Sequence, residues 1–179
     1  MKVFPTPLND CTLIQPDVFK DERGKFLESF NSKVYSDLLP ENTFFVQDNF
    51  SFSTKNVLRG LHFQEKKPQG KLVSVSHGAV LDVVVDLRRS SSTFCEWYKV
   101  ELNGTNHSQL WIPPGFAHGF LALSDNVHFQ YKCTEYYDPS SEQTIIWNDP
   151  DLAIEWPKDR EFILSAKDSV GSKIQDLNF

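Results

Sequence analysis

The chain has 179 residues, 18 Lys plus Arg against 24 Asp plus Glu, and a formal net charge of −6. This length and a hydrophobic content of 40% suit one domain, residues 1–179, with a core that needs no disulfide or structural metal; the 15 Phe, 4 Trp and 5 Tyr exclude the aromatic-poor composition of disordered chains. The acidic excess argues against duplex nucleic acid or an anionic membrane as a main partner, since both select a basic surface.

Met1-Lys2-Val3-Phe4-Pro5 meets a proline before any apolar stretch of signal-peptide length, and the chain is expected to be soluble and cytoplasmic. Period-two patterning then dominates. Strands are expected at residues 12–15, 25–30, 43–52, 57–64, 73–76, 79–87, 97–102, 108–112, 119–123, 128–134 and 144–147. Residues 31–39, opened by Asn31 and closed by Pro40, suit a short helix. Ser165 and Asp168 have capping-box spacing for a second. Turn clusters at 21–24, 103–106, 113–115 and 124–126 are of the kind that link antiparallel strands. The most apolar segment, 78–87, is interrupted by Asp82 and Asp86 and falls short of the ~20 residues of a spanning helix. Cys11, Cys95 and Cys133 are too widely spaced for a zinc knuckle and odd in number for a disulfide framework, so they read as buried small hydrophobes. The sum is an all-β sandwich, jelly roll or small barrel with short helical decorations.

Polar side chains inside strand-like segments carry the chemistry, because a buried charge must be paired or functional. In Val57-Leu58-Arg59-Gly60-Leu61-His62-Phe63-Gln64, alternation puts Gly60, His62 and Gln64 on one face, with Gly60 leaving space beside them. Arg59 points the other way unless a bend intervenes. His62 alone reads as well as a core histidine satisfied by a buried carboxylate; with Arg59 before it and Lys71 after it, a site is the better account. Pro113-Pro114-Gly115-Phe116-Ala117-His118 matches P-x-G-x-x-H, a turn that in cupin jelly rolls places a histidine inside the barrel, commonly on a metal. The companion H-x-H motif reads His62-Phe63-Gln64 here, without the second imidazole. No metal is therefore expected, and His118 reads as a donor to substrate or a structural histidine. With Phe129, Tyr131 and Cys133 facing inward, Tyr131 shares the cavity of His62. Tyr136 and Tyr137 suit stacking on a flat ligand, or an ordinary rim.

Arg59-Gly60-Leu61-His62, Gln69-Gly70-Lys71-Leu72-Val73, Asp82-Val83-Val84-Val85-Asp86-Leu87-Arg88, the stretch from Gln109 to Phe120, Tyr131-Lys132-Cys133-Thr134 and Trp147-Asn148-Asp149-Pro150-Asp151 resemble, in order and over nearly the whole chain, the dTDP-4-dehydrorhamnose 3,5-epimerase family. The resemblance implies a metal-free cupin-like jelly roll (double-stranded β-helix) that forms homodimers and needs no cofactor. It also implies inversion of C3 and C5, the carbons flanking the C4 ketone of a dTDP-linked 4-keto-6-deoxy sugar. His62 would be the base and Asp168 its orienting carboxylate, Lys71 the enolate stabiliser, and Tyr131 the acid on the opposite face. Arg23 and Arg59 would hold the diphosphate and Tyr137 would stack on thymine. Phe26, Glu28, Gln47, Asp48, Asn49, His118, Glu142 and Lys167 match substrate-binding positions, and the Arg23 segment would reach the partner subunit's site. Phe63, Ser76-His77 and a tail without proline after Asp168 depart from the family pattern, which leaves C3-only or C5-only inversion open. A metal-dependent cupin and a non-catalytic sugar-binding jelly roll are the competing classes; the first lacks H-x-H, and the second leaves His62, Lys71 and Tyr131 unexplained. An acidic chain with a cationic pocket also narrows the opening inference, since the implied ligand is itself an anion.

Overall fold

The computed structural model describes residues 1–177. Its elements are β1 (Lys2–Pro5), β2 (Thr12–Gln15), β3 (Val18–Asp21), β4 (Gly24–Leu27), α1 (Ser32–Tyr35), β5 (Gln47–Ser53), β6 (Leu58–Gln64), β7 (Lys71–His77), β8 (Ala79–Asp86), β9 (Trp97–Asn103), β10 (Gln109–Ile112), β11 (Phe116–Ala122), β12 (Val127–Cys133) and β13 (Glu142–Thr144). Short 3₁₀ turns follow at Asp168–Val170 and Ile174–Asp176. Six strands form one antiparallel sheet in the order β1-β2-β10-β7-β12-β5, five form a second in the order β13-β6-β11-β8-β9, and β3 pairs with β4 as a separate hairpin. The expected all-β jelly roll is the fold. Among the described residues no helix is long and apolar enough to cross a membrane.

Three of the four expected turn clusters do something other than close a hairpin. Residues 103–106, 113–115 and 124–126 each carry the chain from one sheet to the other, whereas 21–24 closes the β3–β4 hairpin, with Asp21 opposite Gly24. This repeated crossing lays the two sheets face to face. Val73, Val75, Val80, Val84, Phe116, Phe120 and Phe129 fill the space between them.

The outer faces are covered as well. Val83, Val85, Leu58, Leu61 and Leu121 lie under the C-terminal segment with Leu152, Trp156 and Ile174, so β8 is buried on both faces. That accounts for its nearly unbroken apolar run. On the other sheet Ile14, Leu72 and Trp111 pack with Tyr35 and Leu39, and with Phe30 and Phe45 beside them. Phe45 meets Trp111 edge-on at 6.1 Å, which holds residues 43–45 against the sheet instead of in it; β5 accordingly starts at Gln47. The expected helix at 31–39 is α-helical over Ser32–Tyr35, capped by Asn31, whose side chain accepts from the Lys33 amide. Cys11 and Cys133 are buried as expected, whereas Cys95 is half-buried; all three are free thiols.

Candidate active site

One end of the space between the sheets stays open as a cavity of about 370 Å³. β5 contributes Gln47, Asn49 and Ser51, every second residue; β7 contributes Lys71, β12 Phe129 and Tyr131, β11 His118, Gly119 and Phe120, and β6 Arg59 and His62. Simple alternation would put Arg59 and His62 on opposite faces. The β6–β11 register slips, however: His118 lies opposite His62 and Phe120 opposite Arg59, so two residues of β6, Gly60 and Leu61, face the single residue Gly119. A bulge of this kind turns Arg59 to the side of His62. Gly60 leaves no free space there, contrary to expectation: a Cβ on it would lie 2.6 Å from the Gly119 Cα. Gln64 is buried and bonds the Lys67 and Tyr136 carbonyls, bracing loops beyond the cavity.

His62 and Tyr131 stand on different sheets, so they meet the cavity from facing walls. Behind His62, its Nε2 lies 2.5 Å from Asp168 Oδ1. The C-terminal segment delivers this carboxylate through parallel bridges of Ile163 to Val57 and Ser172 to Ile145. The capping-box reading holds in one direction, since Ser165 Oγ accepts from the Asp168 amide at 3.1 Å. The carboxylate does not return the favour to Ser165; it faces His62. Burial pushes Asp168 up, but the bonds from His62 and Ser165 and the Gly60 amide overcome it and hold the carboxyl below its usual range. An ionised Asp168 keeps the proton on Nε2 and leaves Nδ1 as the basic nitrogen.

On the facing wall Lys71 is 9% exposed. Burial pulls its pKa below the usual lysine range, against the opposing charges of Cys133, Glu142 and Asp82. Burial, then Cys133 and Glu142, pushes the Tyr131 phenol up, so it stays protonated. At the mouth Glu142 accepts from Tyr137 Oη at 2.7 Å and pairs with Lys167; these partners overcome burial and hold its carboxyl low. Gln47 Oε1 accepts from the Tyr137 amide at 2.9 Å, which fixes that aromatic over the opening. Arg59 donates from Nε to Ser53 Oγ at 3.1 Å and from a terminal nitrogen to the Phe52 carbonyl at 3.2 Å. Among the described residues no group of three or more His, Cys, Asp or Glu side chains is arranged to hold a metal ion.

A family model described as dTDP-4-dehydrorhamnose 3,5-epimerase matches residues 5–176. The chain belongs to that family. The Escherichia coli dTDP-4-dehydrorhamnose 3,5-epimerase is 53% identical over 169 residues, 94% of this chain and 91% of the relative. The dTDP-6-deoxy-D-glucose-3,5-epimerase of Legionella pneumophila, crystallised with dTDP-4-keto-L-rhamnose, superposes with a TM-score of 0.96 at 49% identity, covering 99% of this chain and 94% of that one. A Streptomyces bikiniensis 3'-monoepimerase, crystallised with dTDP-quinovose, gives 0.90 at 31% identity over 96% and 87%.

Of the positions matched to this epimerase family, Gln47, Asn49, Arg59, His62, Lys71, His118, Tyr131, Tyr137 and Glu142 line one cavity, with Asp168 behind His62 and Lys167 on Glu142. Four lie elsewhere in the chain. Asp48 alternates to the outer face of β5 and pairs with Lys132 at 2.9 Å. Arg23, its side chain 90% exposed, pairs with Asp21, and Phe26 is 69% exposed on the same hairpin. Glu28 accepts from Asn31 Nδ2 on the surface. The sequence reading passed over Asp82, which lies beneath His118. Its signal was present: an acid two residues from Val80 and Val84 in an apolar strand shares their buried face and requires a partner.

Proposed function

We propose that this chain is an isomerase that inverts C3 and C5 of a dTDP-linked 4-keto-6-deoxyglucose. The observation that carries the reading is the pairing across the cavity: the Asp168-backed His62 on one sheet, Tyr131 and the buried Lys71 on the other. Protons on carbons beside a ketone are acidic because the resulting negative charge moves to the ketone oxygen. His62 Nδ1 takes the proton, the Lys71 ammonium stabilises the enolate oxygen, and Tyr131 returns a proton from the other face. Removal on one face and delivery on the other is inversion. Arg59 suits the diphosphate as a guanidinium fork, and Tyr137, held at the mouth by Gln47 and Glu142, suits the thymine ring.

Incubation with the 4-keto-6-deoxy sugar nucleotide in heavy water is expected to place solvent deuterium at both C3 and C5. Label at C3 alone or C5 alone would instead make this a mono-epimerase. Absence of label in protein that binds the nucleotide would leave a non-catalytic sugar-binding protein.

The alkaline side of the rate profile should report Lys71. Both Lys71 and Tyr131 act in their protonated forms; burial pulls the Lys71 pKa down and pushes that of Tyr131 up, so the alkaline limb is assigned to Lys71. The kcat of wild type should therefore begin to fall at a pH below the usual lysine range. Lys71→Arg stays charged throughout; its residual kcat should lose that limb, and an unmoved limb would overturn the assignment.

The active form in this reading is a cytoplasmic homodimer of single-domain chains. The β3–β4 hairpin supports the dimer: Arg23 and Phe26 are exposed and lie outside their own protomer's cavity lining, where a partner's site can use them.

A further inference from the structure

We propose that Asp82 is a positioning residue for His118: a carboxylate beneath the cavity floor that holds Nε2 of the ring away from the cavity, so that Nδ1 is the nitrogen His118 offers to the bound sugar. The identity of the ligand rests on the epimerase reading; the ring orientation does not.

Asp82 lies in β8 between Val80 and Val84, on the strand face that fills the space between the sheets. It is 0% exposed. Oδ2 is 2.9 Å from His118 Nε2, and Oδ1 has no hydrogen-bond partner among the described residues. A carboxylate among valines and phenylalanines is costly to bury, and an apolar residue of the same size would serve a core equally well. Nothing in the packing of this strand asks for an acid. The histidine it faces does line the cavity, and lies opposite His62 across the β6–β11 ladder.

Other contacts keep the pair in place. The His118 ring stacks on Phe129 at 5.9 Å with an interplanar angle of 23°. Phe129 in turn stacks on Phe120 at 4.3 Å, and Phe120 is the ladder partner of Asp82. The ring plane of His118 is thus set by packing, and which of its nitrogens faces inward is set by the carboxylate. Burial pushes the Asp82 carboxyl up, while its contact with His118 and the charge of Lys71 oppose that rise. Both cavity histidines then share one design, with Nε2 on a buried aspartate and Nδ1 on the side of the ring away from it.

A residue that acts through His118 loses its effect when His118 is gone. Asp82→Leu is expected to lower kcat/KM about 10–100-fold, the range for carboxylates that orient ligating histidines, and to cause no further loss in a His118→Ala background. Equal losses in both backgrounds would overturn the proposal, because a purely structural role persists without His118. Asp82→Asn, run in parallel, keeps the cycle interpretable if the leucine variant misfolds. In 15N-labelled ligand-free protein, wild type should show a hydrogen-bonded Nε2–H resonance for His118 that Asp82→Leu removes while the His62 resonance stays; its survival in the variant refutes the positioning role. Wild type that incorporates no deuterium would refute the epimerase reading and leave this resonance to decide the present one.

Discussion

Replacing His62 by alanine should lower kcat by about 10²–10⁴, the usual contribution of a positioned general base, with no change in far-ultraviolet circular dichroism and little in melting temperature. The ring is half-buried at the cavity wall, so its loss opens the existing cavity slightly and leaves no void in the sealed core. Asp168→Asn should be nearly as damaging for a different reason. Nε2 of His62 then faces an amide that can donate as well as accept, and the tautomer that frees Nδ1 is no longer enforced. Tyr131→Phe should fail in a third way. Proton removal precedes return, so this variant should still wash deuterium into recovered substrate through His62 while forming little inverted product. Single-turnover analysis of substrate and product separates the three variants. Wild-type turnover in His62→Ala, or loss of exchange and inversion together in Tyr131→Phe, would reassign base and acid.

The parts of this site that were legible in the sequence share one property: each is a polar residue breaking an apolar strand. Lys71 and Tyr131 stand out because Val73 and Val75 on β7 and Phe129 and Cys133 on β12 share their faces, and His62 stands out between Leu61 and Phe63. Asp168 has no such local mark. It lies 106 residues from His62 in a segment whose near neighbours spell a helix start, and the resemblance alone connected the two. Arg59 was turned to the wrong face by strict alternation, since a one-residue bulge depends on which strand lies opposite, and β11 is far along the chain. Sheet membership was hidden for the same reason: a turn cluster says that the chain reverses, while the crossing from sheet to sheet depends on which partners each strand finds. For Arg23 and Phe26, local sequence shows an exposed hairpin and nothing more; the role proposed for them needs a second copy.

The largest structural effect is expected at Gly60. Its φ is +115°, a conformation that side-chain-bearing residues rarely adopt. A Cβ would also lie 2.6 Å from the Gly119 Cα and 2.7 Å from the His118 carbonyl oxygen. These are backbone atoms of the neighbouring strand, which no rotamer change can move. Gly119 answers with the same constraint, its own Cβ position being 2.6 Å from the Arg59 carbonyl oxygen, so the two glycines are what let β6 and β11 approach at the bulge. Gly60→Ala combines backbone strain with overpacking, each worth about 1–3 kcal/mol; the sum, roughly 2–6 kcal/mol, lowers the melting temperature by roughly 4–24 °C for a chain of this size. Gly24 is the control: its φ is +131°, but nothing lies within 4 Å of its Cβ position, so Gly24→Ala carries the strain alone and should melt closer to wild type. The functional consequence follows from the same geometry. If β6 relieves the clash by giving up the bulge, Arg59 turns from the cavity and His62 shifts relative to Asp168, so surviving folded Gly60→Ala should bind thymidine diphosphate weakly and turn over slowly. Melting and nucleotide binding indistinguishable from wild type would show that the bulge does not set the faces of Arg59 and His62.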